Sequence, residues 1–162
     1  MKITFIQTGG TIDKDYPRIT GGYAFEITDP AVERILKNVN PTFESEILSA
    51  FKKDSTEITN EDRDDLYKMV NNLSNDKVII THGTDTMIET AEKLSVIKNK
   101  IIVITGAMRP EKFSDSDAPF NMGMAVAAVS TLNPGVYITM HGRVLSWEKC
   151  TRNLETGQFV EK

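Results

Sequence analysis

Apolar residues along the chain follow two rhythms that alternate. Short unbroken runs (KITFIQ at 2–7, SEILSAF at 45–51, KVIIT at 77–81, KIIVIT at 100–105 and GVYITM at 135–140) read as strands, the last three almost wholly apolar. Continuous apolar runs mark strands covered on both faces of a parallel sheet, because neither face meets water. Between them the spacing becomes helical. In TNEDRDDLYKMVNNL, Leu66, Met69, Val70 and Leu73 recur at helical intervals, and Thr59 with Asp62 has the form of a capping box. TMIETAEKLSVI sets Met87, Ile88, Ala91 and Leu94 on one face. DAPFNMGMAVAAVSTL carries Pro119 where a first helical turn accepts it, and DPAVERILKNV supplies a further helix.

Strand and helix in alternation, joined by short links, predict right-handed βαβ units. The expected class is α/β, with a doubly wound, mainly parallel sheet flanked by helices in three layers. No repeat, low-complexity tract or linker divides residues 1–162, so one domain is expected. The stretch HGRVLSWEKCTRNLETGQFVEK breaks the alternation, and 142–162 should form an irregular or hairpin extension. In such sheets ligands bind beyond the carboxyl ends of the strands. That rule selects the loops TGGTID, KKDSTE, HGTDTM, GAMRPEKFSDSD and MHGRV.

Composition narrows the function. Hydrophobic residues make up 40% and charged residues 26%, as in ordinary globular domains. A net charge of -4 argues against a nucleic-acid or anionic-membrane surface. Two histidines and one cysteine are too few for a structural zinc cluster or a disulfide framework. Cys150 reads as a free thiol, which suits a reducing cytoplasm. No apolar stretch approaches a membrane span and Met1 leads straight into the first strand, so a cytoplasmic location is expected.

The selected loops are rich in threonine, serine, aspartate and glycine. Gly9 and Gly10 allow a turn closed to other residues and a close ligand approach, with Thr8 and Thr11 on either side. The plain alternative is a strand-to-helix turn with a threonine cap. Thr84 and Asp85 are expected at a helix start, as an N-cap or beside a ligand at its positive dipole end. His82 reads as a packed ring. Arg109 reads as a solvated surface residue or a carboxylate partner, and Ser55 with Thr56 as turn hydroxyls. GxGxxG, GxxxxGK[ST] and GxSxG are all missing, so dinucleotide, P-loop and serine-elbow chemistry lack support. A threonine nucleophile needs a neighbour to take its proton, and Asp85, a tyrosine or a lysine are the candidates.

TGGTI, THGTDTM and TGAMRP, in this order and each directly after a strand, resemble the bacterial-type L-asparaginase/glutaminase family of amidohydrolases. The resemblance runs from the first strand to about position 153 and matches the amino-terminal domain of the usual two-domain enzyme. The carboxy-terminal domain is expected to be absent, as in short single-domain members. The resemblance implies hydrolysis of L-asparagine to L-aspartate and ammonia through an acyl-threonine intermediate. It implies no cofactor and no metal, with L-glutamine as the alternative substrate. By resemblance Thr11 is the nucleophile, and Tyr23 closes over the substrate and helps activate it, Tyr16 being the second candidate. Ser55 would hold the substrate α-carboxylate, with Thr56 beside it in a place that touches specificity. Thr84 would be the second catalytic threonine, Asp85 the partner of the α-ammonium group, Gly10 and Gly83 backbone donors, and Ala107 part of the amide pocket.

One departure stands out. The family's lysine, paired with Thr84 and Asp85, lies in a TKT-like context, whereas CTRNL puts Arg152 there and Lys149 three residues earlier. Two other readings share the motifs: a non-catalytic amino-acid-binding or regulatory protein that keeps the pocket, and the amidase subunit of an amidotransferase complex. A homodimer or larger homo-oligomer is expected to cover the loops in part, because an open pocket leaves its charges screened by water.

Overall fold

The apolar runs assemble in the order that their burial demands. The computed structural model describes residues 1–22 and 24–162. Strand β1 (Lys2–Gly9) leads through the two-residue strands β2 (Lys14–Asp15) and β3 (Glu26–Ile27) to helix α1 (Ala31–Val39). Then come β4 (Glu44–Lys53), α2 (Asn60–Asn72), β5 (Lys77–Thr81), α3 (Met87–Leu94), β6 (Ile101–Thr105), α4 (Ala118–Thr131) and β7 (Gly135–Met140). The chain ends in β8 (Arg143–Ser146), β9 (Cys150–Arg152) and β10 (Phe159–Glu161).

The main sheet has the order β4-β1-β5-β6-β7-β8 and is parallel except where β8 meets β7. Side chains alternate between the two faces of each strand. Thus Ile6, Val78 and Ile80 pack with Leu66 and Val70 of α2 and with Met87, Ala91 and Leu94 of α3. Ile3, Phe5 and Ile79 pack on the other face with Val32 and Ile35 of α1 and Met122 and Ala125 of α4. This is the expected three-layer arrangement, and the continuous apolar runs follow from it. The predicted capping box forms: Thr59 Oγ1 accepts from the Asp62 amide at 3.2 Å, and Asp62 Oδ2 accepts from the Thr59 amide at 2.8 Å.

Differences lie at the ends of elements. β1 continues to Gly9 and β4 to Lys53, while α3 stops at Leu94. Within the expected extension, β8 joins the main sheet through a two-residue turn, His141–Gly142, whose φ values of 54° and 78° suit a tight hairpin. β9 and β10 form a separate antiparallel pair, tied to that turn where the Phe159 amide donates to His141 Nδ1 at 3.2 Å. Cys150 and Phe159 are fully buried in this junction.

Just beyond the carboxyl ends of β1 and β5, the chains of Gly10 and Gly83 touch through backbone. Gly10 has φ 81° and ψ -174°, and a methyl group there would overlap the backbone of Gly83. A methyl group on Gly83 would in turn lie 2.6 Å from the Ser55 side chain. Gly10→Ala is therefore expected to lower stability by about 3 kcal/mol, from backbone strain plus displacement of the β5 loop. Gly123 on α4 has open space at its Cβ, and Gly123→Ala should instead stabilise by about 0.5–1 kcal/mol. Urea denaturation of both variants checks the contrast; equal effects would contradict the contact.

Candidate functional site

The turn after β1 is a single 3-10 turn, Thr11–Asp13, with Gly10 before it and no side-chain cap. The threonine-cap reading therefore does not apply. Thr8 is buried, and its hydroxyl donates to the Thr81 carbonyl at 2.8 Å, tying β1 to β5. The Gly10 amide donates to the Lys53 carbonyl at 3.0 Å, because a register shift between Gln7 and Gly9 lays the turn against the end of β4. The Gly10 amide, expected as a backbone donor, is thus engaged with Lys53. Thr11 is half-buried and lines an open cleft of about 690 Å³ with Lys14, Tyr16, Met108, Arg109 and Phe113. The Tyr16 ring packs against Phe25 and Phe113, at 6.3 and 6.0 Å between centroids. Tyr23 lies outside the described residues.

The loop after β4 supplies Ser55 and Thr56. Asp54 caps this turn, and the Thr56 hydroxyl donates to Asp54 Oδ1 at 3.0 Å on an exposed surface. Thr56 is accordingly part of the cap, a local bond that its place in KKDSTE favours. Ser55 is only 1% exposed and faces the next loop. Its Oγ accepts from the Asp85 amide at 3.2 Å, and its carbonyl accepts from the Thr86 hydroxyl at 2.7 Å.

The loop after β5 carries Gly83, Thr84 and Asp85. Neither Thr84 nor Asp85 caps α3, since the residue before the helix is Thr86. Thr84 is 9% exposed, and its hydroxyl has no hydrogen bond among the described residues. Asp85 keeps half of its side chain exposed and pairs with Arg152, whose Nη1 lies 2.7 Å from Oδ1. Arg152 Nε donates to the Gly157 carbonyl at 3.2 Å, which fixes the guanidinium. Of the two cations considered at this end of the chain, Arg152 is the one that reaches Asp85.

The loop after β6 holds Ala107, 1% exposed. Asp117 accepts from the Met108 and Arg109 amides, all at 3.0 Å, and Asn121 Nδ2 donates to the Gly106 carbonyl at 3.0 Å. Arg109 pairs with Asp115 at the surface. Sequence reasoning missed Asp117 and Asn121. The one signal was an aspartate just before a helix-opening Ala-Pro, which suggests a cap and not a carboxylate reaching back over a loop.

Two fully buried ionisable groups stand behind these loops. Asp13 Oδ1 accepts from the Ala31 amide at 2.7 Å, so the threonine turn is fastened to the first residue of α1. Burial raises the Asp13 pKa to about 6, against the lowering effect of the Ala31 amide, Gln7 and Arg34. His82 is held the opposite way: burial lowers its pKa to about 4, so the ring stays neutral.

Residues 2–158 match the family described as "Asparaginase, N-terminal". The chain is 32% identical over 174 residues to the glutaminase-asparaginase of Acinetobacter glutaminasificans, covering 99% of this chain and 53% of that protein. A glutamyl-tRNA(Gln) amidotransferase component from Methanococcus vannielii is 39% identical over 87 residues, 52% of this chain and 20% of that protein. The thermostable L-asparaginase from Thermococcus kodakarensis superposes with a TM-score of 0.84 at 25% identity, over 99% of this chain and 51% of that one. The chain spans about half the length of the relatives it matches along its whole length.

The two buried groups give opposite pH dependences. Folded Asp13 keeps its proton up to about pH 6 where the unfolded chain releases it near 3.8, so its contribution to stability is lost as pH rises through that window. Folded His82 stays neutral down to about pH 4 where the unfolded chain protonates near 6.5, so its contribution is lost as pH falls. Asp13→Asn should therefore make stability climb more steeply with pH between 4 and 6 than in the wild type, and His82→Asn less steeply. Each slope should differ from the wild type by roughly 1 kcal/mol per pH unit. Denaturation at pH 4, 5 and 6 measures this; two variants parallel to the wild type would contradict the buried assignments.

Proposed function

This chain belongs to the asparaginase family, and we propose that it hydrolyses L-asparagine to L-aspartate and ammonia through an acyl-threonine intermediate. The observation that carries the reading is the meeting of strand-end loops: Gly10 against Gly83 brings the Thr11 turn onto the loop of Thr84 and Asp85, where Arg152 pairs with Asp85. In this reading the Thr11 hydroxyl attacks the side-chain amide carbon. The leaving nitrogen takes a proton and departs as ammonia, and water then releases L-aspartate from the ester. Asp85, half exposed and paired with Arg152, takes the α-ammonium group of the substrate. Thr84 orients the reacting carbonyl or water.

An arginine remains protonated at any working pH, so Arg152 supplies charge and orientation but accepts no proton. The Thr11 proton then passes to a tyrosine hydroxyl, which gives its own proton on towards the leaving nitrogen. Tyr23 holds that role by resemblance, and Tyr16, which lines the cleft beside Thr11, competes for it. Ser55 supports the Asp85 amide, and Gly83 and Ala107 border the amide pocket. The same reading includes L-glutamine as a second substrate, a cytoplasmic home and a homodimer or larger assembly over the open cleft. The amidotransferase alternative has weaker support, because that match covers half of the chain.

Purified protein should release ammonia from L-asparagine. Thr11→Ala should reduce the rate by roughly a thousandfold or more while leaving the melting temperature and L-aspartate binding unchanged. Binding without turnover in the wild type would favour the non-catalytic reading. Asp85→Asn removes a charge-assisted contact of about 2–3 kcal/mol, so KM should rise roughly 30- to 150-fold and selectivity over succinamic acid should fall. Unchanged selectivity would remove Asp85 from the substrate site.

A further inference from the structure

Behind the loop of Thr84 and Asp85 runs a chain of buried polar side chains from separate elements that the proposed chemistry does not use. Arg63 on α2 is 8% exposed, and its Nη1 donates to the Ile58 carbonyl at 3.0 Å. Its Nε donates to Thr90 Oγ1 at 3.2 Å. Thr90 on α3 is fully buried, and its Oγ1 lies 2.8 Å from His82 Nε2. His82 Nδ1 lies 2.7 Å from the Gly83 carbonyl.

The direction of every bond follows from its ends. A carbonyl only accepts, so the neutral His82 ring carries its single proton on Nδ1, gives it to Gly83 and leaves Nε2 as an acceptor. Thr90 Oγ1 therefore gives its hydroxyl proton to Nε2 while it receives from Arg63, whose guanidinium only donates. The Gly83 end sets the tautomer and the Thr90 end meets it. The Gly83 carbonyl belongs to the peptide that joins Gly83 to Thr84, and turning that peptide turns the Thr84 amide and side chain. Asp85 has further anchors, Ser55 on its amide and Arg152 on its carboxylate, whereas the Thr84 side chain has none among the described residues.

We propose that Arg63, Thr90 and His82 are positioning residues that fix the Gly83–Thr84 peptide and through it the orientation of Thr84. The effect on turnover rests on the asparaginase reading; the effect on the loop does not. Because Asp85 is anchored separately, loss of the relay should fall on kcat more than on KM.

The test pairs Thr90→Val, which keeps the shape and removes the hydroxyl, with Thr90→Ser, which restores it. Nitrogen NMR of the wild-type imidazole should show one tautomer, protonated at Nδ1, from pH 5 to 8. In Thr90→Val the His82 signals should average between tautomers and the Thr84 amide should shift, with the melting temperature lowered by several degrees as two buried groups lose their partner. For L-asparagine, kcat should fall roughly five- to twentyfold with KM within about threefold of wild type, and Thr90→Ser should recover both. An Nε2-protonated His82 in the wild type would overturn the proposal, even if Thr90→Val does not fold. So would an unmoved Thr84 amide in Thr90→Val, or a Thr90→Ser variant as impaired as Thr90→Val. The expected NMR result in a protein without turnover would support the relay and count against the asparaginase reading alone.

Discussion

Two backbones meet at the carboxyl edge of the sheet with no side chain between them, and the site depends on that contact. Gly10 abuts Gly83, and Gly83 abuts Ser55, so the loops after β1, β5 and β4 stack in sequence. Any side chain at Gly10 would separate the Thr11 turn from the loop of Thr84 and Asp85. The parallel sheet supplies the approach, because β4, β1 and β5 are neighbours whose carboxyl ends lie on one edge. What a ligand would meet there is a set of short hydroxyls and one carboxylate held at close range by main chain.

Electrostatics then divides the site into a neutral rear and a charged front. Asp13 and His82 are buried behind the loops, and burial favours the uncharged form of each. At the front, Asp85 is half exposed and paired with Arg152, so charge is available where an ammonium group could reach it. An arginine in this place stays charged, so it orients Asp85 and takes up no proton as a lysine could.

The architecture was legible in the sequence because period and burial are local properties. The apolar runs at 77–81 and 100–105 read as strands covered on both sides, and the Thr59–Asp62 box announced α2. The doubled glycine of TGGTI marked the turn but not its contact, since Gly83 lies far along the chain. The pairing of Arg152 with Asp85, 67 residues apart, came from resemblance and not from spacing. Bonds from a side chain to distant backbone left no local pattern, which is why Asp117, Asn121 and the Arg63–Thr90–His82 chain went unseen. The place of Thr56 in the Asp54 cap was one of two readings left open, because a hydroxyl beside an aspartate suits a cap as readily as a substrate.

Everything proposed for the chemistry turns on which hydroxyl carries the acyl group. Incubation with an asparagine analogue bearing a reactive ketone at the amide position, followed by peptide mass spectrometry, reads this directly. A single adduct on Thr11 is predicted. An adduct on Thr84 or Thr8, or turnover of L-asparagine with no adduct on any threonine, would contradict it.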